Sequence, residues 1–108
     1  MREETSLLIG IVSLGQIKAL NELLSQYTNL DVNEKDDDGN FAAIIAAKHN
    51  DLSILKLLVH HGAKLDLKDG YGRTVIGWAK KHKNEEMIYF INSHLSEIGR
   101  ANLVYMHF

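Results

Sequence analysis

An all-α solenoid, three helix-turn-helix units joined by β-hairpin-like turns, is the fold class this sequence predicts. Three observations carry it. Asp36-Asp37-Asp38-Gly39-Asn40 is echoed as Asp69-Gly70-Tyr71-Gly72-Arg73, 33 residues further on. The register then holds, with Ala46 meeting Ala79, Ile54 meeting Met87, Leu57 meeting Phe90 and Leu58 meeting Ile91. Between the turns, apolar residues recur at helical spacing. A fixed period of this length marks a stack of repeats, each too small to bury its own apolar face alone.

The first helix is predicted over Thr5–Ser13, with Leu7, Leu8, Ile11 and Val12 at helical spacing. Gly15 stops it, because glycine takes a left-handed conformation without steric cost. The second helix spans Gln16–Gln26. Ile17, Ala19, Leu20, Leu23 and Leu24 form its inner stripe, and Lys18, Asn21, Glu22 and Ser25 face water. From Asn29 to Gly39, Leu30 and Val32 alternate with polar residues before an Asp-Gly turn, which predicts an extended arm and a tight tip. Ala63 to Gly72 repeats that design, with Leu65 in place of Val32.

A third helix follows over Asn40–His49. Ala42, Ala43, Ala46 and Ala47 line its inner face and permit close approach by a neighbour. Asn50 ends it in a left-handed conformation, and Asn50 or Asp51 caps the next helix, Leu52–His61. Ile54, Leu55, Leu57, Leu58 and Val59 form the buried stripe there, and Gly62 closes it. The third unit repeats the order as Arg73–His82 and Asn84–Leu95. The repeats therefore occupy residues 1–95, in units of about 3–35, 36–68 and 69–95, and residues 96–108 form an apolar extension. Terminal repeats need a cover, so this extension is expected to fold over the third unit.

Composition narrows the function. The chain has 108 residues, no cysteine, no proline and a net charge of -2. Disulfides and thiolate chemistry are excluded, and no general attraction to nucleic acid or an anionic membrane is expected. The apolar run from Leu7 to Leu14 is short, broken by Gly10 and Ser13, and preceded by Glu3 and Glu4, unlike a secretory signal. A cytoplasmic domain is expected, the alternative being an exported effector acting in a host cytosol.

These residues resemble an ankyrin repeat, whose pattern opens Asp-x-x-Gly-x-Thr, places two alanines on the inner helix and ends a leucine-rich outer helix with Gly-Ala-Asp-Val-Asn. Asp36, Gly39, Ala46, Ala47, Leu57, Leu58, Gly62 and Ala63 match it in the middle unit, and Asp69, Gly72, Thr74, Ala79, Phe90 and Ile91 in the third. The first unit keeps Gly15, Leu23, Leu24, Asp31, Val32 and Asn33. The Thr-Pro-Leu-His start is replaced by Phe41-Ala42-Ala43-Ile44 and Thr74-Val75-Ile76-Gly77, which predicts less rigid repeats. Two extra residues near Tyr27-Thr28-Asn29 predict a bulged loop.

Other chemistry is weaker. His60 and His61 point about 100° apart on a helix and suit a helix end better than one metal ion. Glu34, Asp36, Asp37 and Asp38 lack the late bidentate acid of a calcium loop. Asp36 instead organises the turn. Lys80-Lys81-His82-Lys83 has no aromatic platform for bases and reads as a solvated helix end. Gly70-x-Gly72 lacks the lysine of a phosphate loop, and the serines have no supporting histidine–acid pair. Phe90 reads as core, Tyr71 as an exposed tip and Trp78 as a packing residue. No catalysis, cofactor or metal is expected.

By what the resemblance implies, the chain binds a partner protein through a concave face of turn tips and inner helices. Here those positions are Asp37, Asp38, Asn40, Lys48 and His49 in one unit, and Tyr71, Arg73, Lys81 and His82 in the next. Two alternatives stand beside it: a small inhibitor or immunity-type protein blocking an enzyme, and a structural protein self-associating through the tail. A monomer is favoured over a homodimer.

Overall fold

The computed structural model describes the backbone of residues 3–106 and the side chains of residues 3–96. Six helices are present in that span: α1 (Glu3–Ser13), α2 (Ile17–Gln26), α3 (Ala42–Lys48), α4 (Leu52–His60), α5 (Val75–Lys81) and α6 (Glu85–Met106). The inner helices α1, α3 and α5 pack in that order, each carries its own outer helix α2, α4 or α6, and α2 packs on α4. No described residue lies in a strand, so the arms between units are loops without ladder pairing, the first turning where the Glu34 N–H meets the Asp31 carbonyl.

Helix ends follow the 33-residue echo. Gly15 and Gly62 have positive φ after α1 and α4. After the inner helices α3 and α5, in the place Gly15 takes after α1, the left-handed residue is Asn50 at φ 58° and Lys83 at φ 56°. Asp51 caps α4, accepting from the Ile54 N–H at 3.0 Å, and Asn84 serves α6 in the same way through the Met87 N–H. The inner helices start later than expected, at Ala42 and Val75. Asn40 and Arg73 are held by the turn tips, and Phe41 and Thr74 are extended cap residues. Thr74 accepts from the Gly77 N–H at 3.1 Å, so one end of the lost start motif still works.

Burial explains the order of the stack. Every residue from Ala42 to Ala47 is buried, because α3 touches α1, α4 and α5 at once. Ile54, Leu55 and Leu58 supply the buried stripe of α4, with Leu57 and Val59 half-buried beside it. Val32 and Leu65 are buried at equivalent places in the two arms. Asn33 clamps two layers: its amide donates to the Gly62 carbonyl at 3.0 Å and accepts from the Lys64 N–H at 2.8 Å.

Four expectations are corrected. The buried stripe of α1 is Thr5, Leu8, Ile9 and Val12, and Leu7 is 51% exposed. At about 100° per residue Leu7 falls on the opposite side of the helix from that stripe. Ile17, expected inside α2, is largely exposed at the helix start. Phe90 is half-buried, packed on the core edge with Lys56 and His94 against its ring. The last helix does not stop near Leu95 but runs to Met106, with no proline to break it. The expected cover over the third unit concerns side chains outside the described residues. The extra residues after α2 form a turn closed by the Leu30 N–H on the Tyr27 carbonyl.

Candidate partner-binding surface

Each turn tip is built around one carboxylate. Asp36 Oδ1 accepts from the backbone N–H groups of Asp38 and Asn40, and Oδ2 accepts from the Asn40 amide at 3.1 Å. Asp69 Oδ1 accepts from the N–H groups of Tyr71 and Arg73, and Oδ2 accepts from Arg73 Nε at 2.6 Å. Gly39 and Gly72 complete the tips at φ 83° and 77°, where a side chain would be strained. The two tips are therefore one device with different braces, a neutral amide in one and a guanidinium in the other.

Asp69 is buried. Burial opposes its ionisation, but the Arg73 N–H, the Arg73 guanidinium and the Tyr71 N–H together hold its pKa below the ordinary value.

The nine expected contact residues divide into two groups. Asp37, Asp38, Lys48, His49, Tyr71 and Lys81 are exposed side chains with no hydrogen bond of their own among the described residues. Asn40, Arg73 and His82 also brace the fold. His82 Nε2 is 2.7 Å from the Lys48 carbonyl, which can only accept, so this nitrogen carries the proton and ties α5 to α3. Asn84 donates to the Asn50 side chain at 2.8 Å and repeats that tie one turn on.

Trp78 is the residue that sequence reasoning underrated. It is half-buried on α5 beside the core, and packing is only part of its role. The Lys81 ammonium stands 5.0 Å from its ring centre, the Arg73 guanidinium 5.7 Å and the Lys48 ammonium 6.0 Å. His82 stacks on it at 6.2 Å, and Arg73 also lies 4.9 Å from the Tyr71 ring. Cations over an indole face are attracted by its quadrupole. The Trp78 N–H is buried without a hydrogen-bond partner among the described residues. A signal existed: Trp78 echoes Ile45, one of the largest changes of side chain between the two inner helices.

Two clefts meet at Trp78. One of about 220 Å³ is lined by Gly72, Arg73, Thr74, Gly77, Trp78 and Lys81. The other, about 140 Å³, includes Asn40, Lys48, His49, Arg73 and Trp78. Five of the nine expected residues, Asn40, Lys48, His49, Arg73 and Lys81, thus line this one region, and Tyr71 and His82 flank it. Asp37 and Asp38 stand apart on the apex of the middle tip. His60 and His61 meet edge to face on the far end of α4, and no described group of three histidine or acidic side chains is arranged to hold a metal.

The comparisons with known proteins agree with this architecture. The family model for ankyrin repeats, in three copies, matches residues 8–102. The chain belongs to the ankyrin repeat family. Ankyrin repeats are generally protein-interaction modules and typically non-enzymatic. Over 99 residues the chain is 28% identical to a protein of Acanthamoeba polyphaga mimivirus named as an ankyrin repeat protein, covering 90% of this chain and 13% of the relative. Another protein so named, from Rickettsia bellii, is 25% identical over 96 residues, covering 85% of this chain and 57% of the relative. Alpha-latrotoxin-Lh1a of Latrodectus hasselti is 25% identical over 72 residues, covering 67% of this chain and 5% of the toxin. The chain thus spans less than two thirds of the length of each of these relatives. Among the described residues, no helix is long and apolar enough to cross a membrane.

Proposed function

We propose that this chain is a protein–protein recognition module that grips a partner protein through the concave side of its ankyrin stack, where the tips and inner helices lie. One observation carries the reading. What repeats between the two tips is the braced carboxylate beneath, and what differs is the exposed apex above it, Asp37-Asp38 against Gly70-Tyr71. Tyr71 is 83% exposed, and tyrosine is a frequent anchor at interfaces. The surface needed for a standard interface is about 800 Å² per partner.

The chain acts as a monomer in the cytoplasm, without enzymatic activity, cofactor or metal. An inhibitor or immunity-type protein uses the same face, and tight one-to-one binding of a single enzyme distinguishes it from an adaptor. The direct test is capture of the partner by the intact chain and by Tyr71→Ala and Lys81→Gln variants. Arg73 is left in place, because its removal unbraces the tip as well as the face. Capture reduced several-fold by either change supports the reading. Undiminished capture by both variants places the interface elsewhere.

A further inference from the structure

The Trp78 region has a chemistry more specific than an adhesive face. Three cationic side chains from two inner helices and a tip converge on one indole, each within 6.0 Å of its ring centre. Lys48 and Lys81 make no ion pair among the described residues, and Arg73 pairs with Asp69 through Nε, which leaves its two terminal nitrogens for another acceptor. The lysine ammoniums lie no more than about 11 Å apart, since they stand 6.0 and 5.0 Å from the same ring. The lysines border different clefts, Lys81 the larger one and Lys48 the smaller, while Arg73 and the indole line both.

We propose that this platform binds an extended acidic peptide segment of the partner, with two carboxylates two residues apart. Lys81 and Arg73 meet one carboxylate, Lys48 meets the other, and the side chain between them lies toward the indole. The proposal rests on the recognition reading above and names the chemistry of its ligand. In an extended chain, residues i and i+2 share a face about 6.5–7 Å apart, within the bound of about 11 Å on the separation of the two ammoniums. Charge complementarity selects the occupant: three convergent cations favour carboxylates. A net charge of -2 gives the chain no general attraction for a long phosphodiester backbone.

Trp78 is the only tryptophan, so its fluorescence reports the site directly. The probe is a short capped peptide centred on Glu-Leu-Glu, compared with its Gln-Leu-Gln counterpart and with oligothymidylate of similar length. The expected result is a saturable fluorescence change with Glu-Leu-Glu and binding weaker by about tenfold or more with Gln-Leu-Gln, the scale of two or three partly exposed ion pairs. The double variant Lys48→Glu, Lys81→Glu, both exposed and checked for folding by circular dichroism, should lose Glu-Leu-Glu and gain a Lys-Leu-Lys peptide. Equal binding of the neutral peptide, or no saturation by any peptide, overturns the proposal. Tighter binding of oligothymidylate also overturns it and assigns the platform to nucleic acid. If the peptides fail while Tyr71→Ala still weakens partner capture, the acidic ligand is wrong and the recognition face stands. If both fail, the face itself is wrong.

Discussion

A single carboxylate decides each tip. Removing Asp69 leaves the Tyr71 and Arg73 N–H groups and the Arg73 guanidinium without their acceptor. Asp69→Ala should therefore cost about 1–3 kcal/mol, while Asp37→Ala, at an exposed apex, should stay within about 0.5 kcal/mol. Urea denaturation of the two variants checks the contrast, and equal effects would show that the tip is not held by its carboxylate. The same group carries a pH dependence. Its folded pKa is lowered, so its contribution is present above the unfolded value and lost as pH falls through the folded one. Stability should drop below about pH 4, and the part of that drop due to Asp69 should vanish in Asp69→Asn. The sequence alone identified Asp36 as the organiser of its turn. It did not reveal that Asn40 and Arg73 complete the device, because a brace four residues away looks like any polar surface residue until the turn is closed.

The inner and outer helices answer to different constraints. In α3 every side chain from Ala42 to Ala47 is enclosed, and Ala46 and Ala47 have no room beside them. Ala46→Leu should destabilise by about 1–3 kcal/mol through overpacking, measured by thermal or urea unfolding. An unchanged midpoint would mean the layers can separate. Lys83, in the left-handed conformation at φ 56°, holds the place that Asn50 fills one unit earlier. Lys83→Gly should stabilise the chain by about 0.5–1 kcal/mol, since glycine meets no Cβ penalty there. A loss of stability would show that the Lys83 side chain has a contact worth more than the strain. The helices themselves were legible from periodicity, most plainly α4, whose Ile54, Leu55 and Leu58 fall on one stripe. The face of α1 was not, because Leu7, Leu8, Ile11 and Val12 fit a helical pattern as well as Thr5, Leu8, Ile9 and Val12 do. Only the position of α3 chooses between them. Trp78 was read as packing alone for a related reason: a large aromatic on an inner helix is ordinary core, and one of its three cations, Lys48, comes from the neighbouring inner helix, 30 residues away in sequence.

At the scale of the molecule, the three units are tied by contacts that join each unit to the next. His82 reaches the Lys48 carbonyl, Asn84 reaches Asn50, and Asn33 holds Gly62 and Lys64. With α3 touching both α1 and α5, no unit keeps its core when a neighbour leaves. Unfolding should therefore be cooperative. Trp78 fluorescence, which reports the third unit, and far-ultraviolet circular dichroism, which reports all helices, should trace one transition. Separate midpoints would reveal a unit that melts alone. The echo of 33 residues made this stack readable before any coordinates. The ties across it were not readable, since each uses a polar side chain that sequence places on the surface, most of them bonded to the main chain of the neighbouring unit.

The braced tip has one more consequence. The carboxylate bonds to main-chain N–H groups and to the residue four places on, so the brace uses none of the side chains at 37, 38, 70 and 71. A Cβ added at Gly70 meets nothing within 4 Å. Residues there can change without passing through an unfolded intermediate, provided proline is avoided where an N–H is bonded. A collection of variants randomised at those four places should fold almost uniformly, leaving selection free to act on what they bind. New specificity can then arise in this scaffold by single steps, each taken from a stable protein.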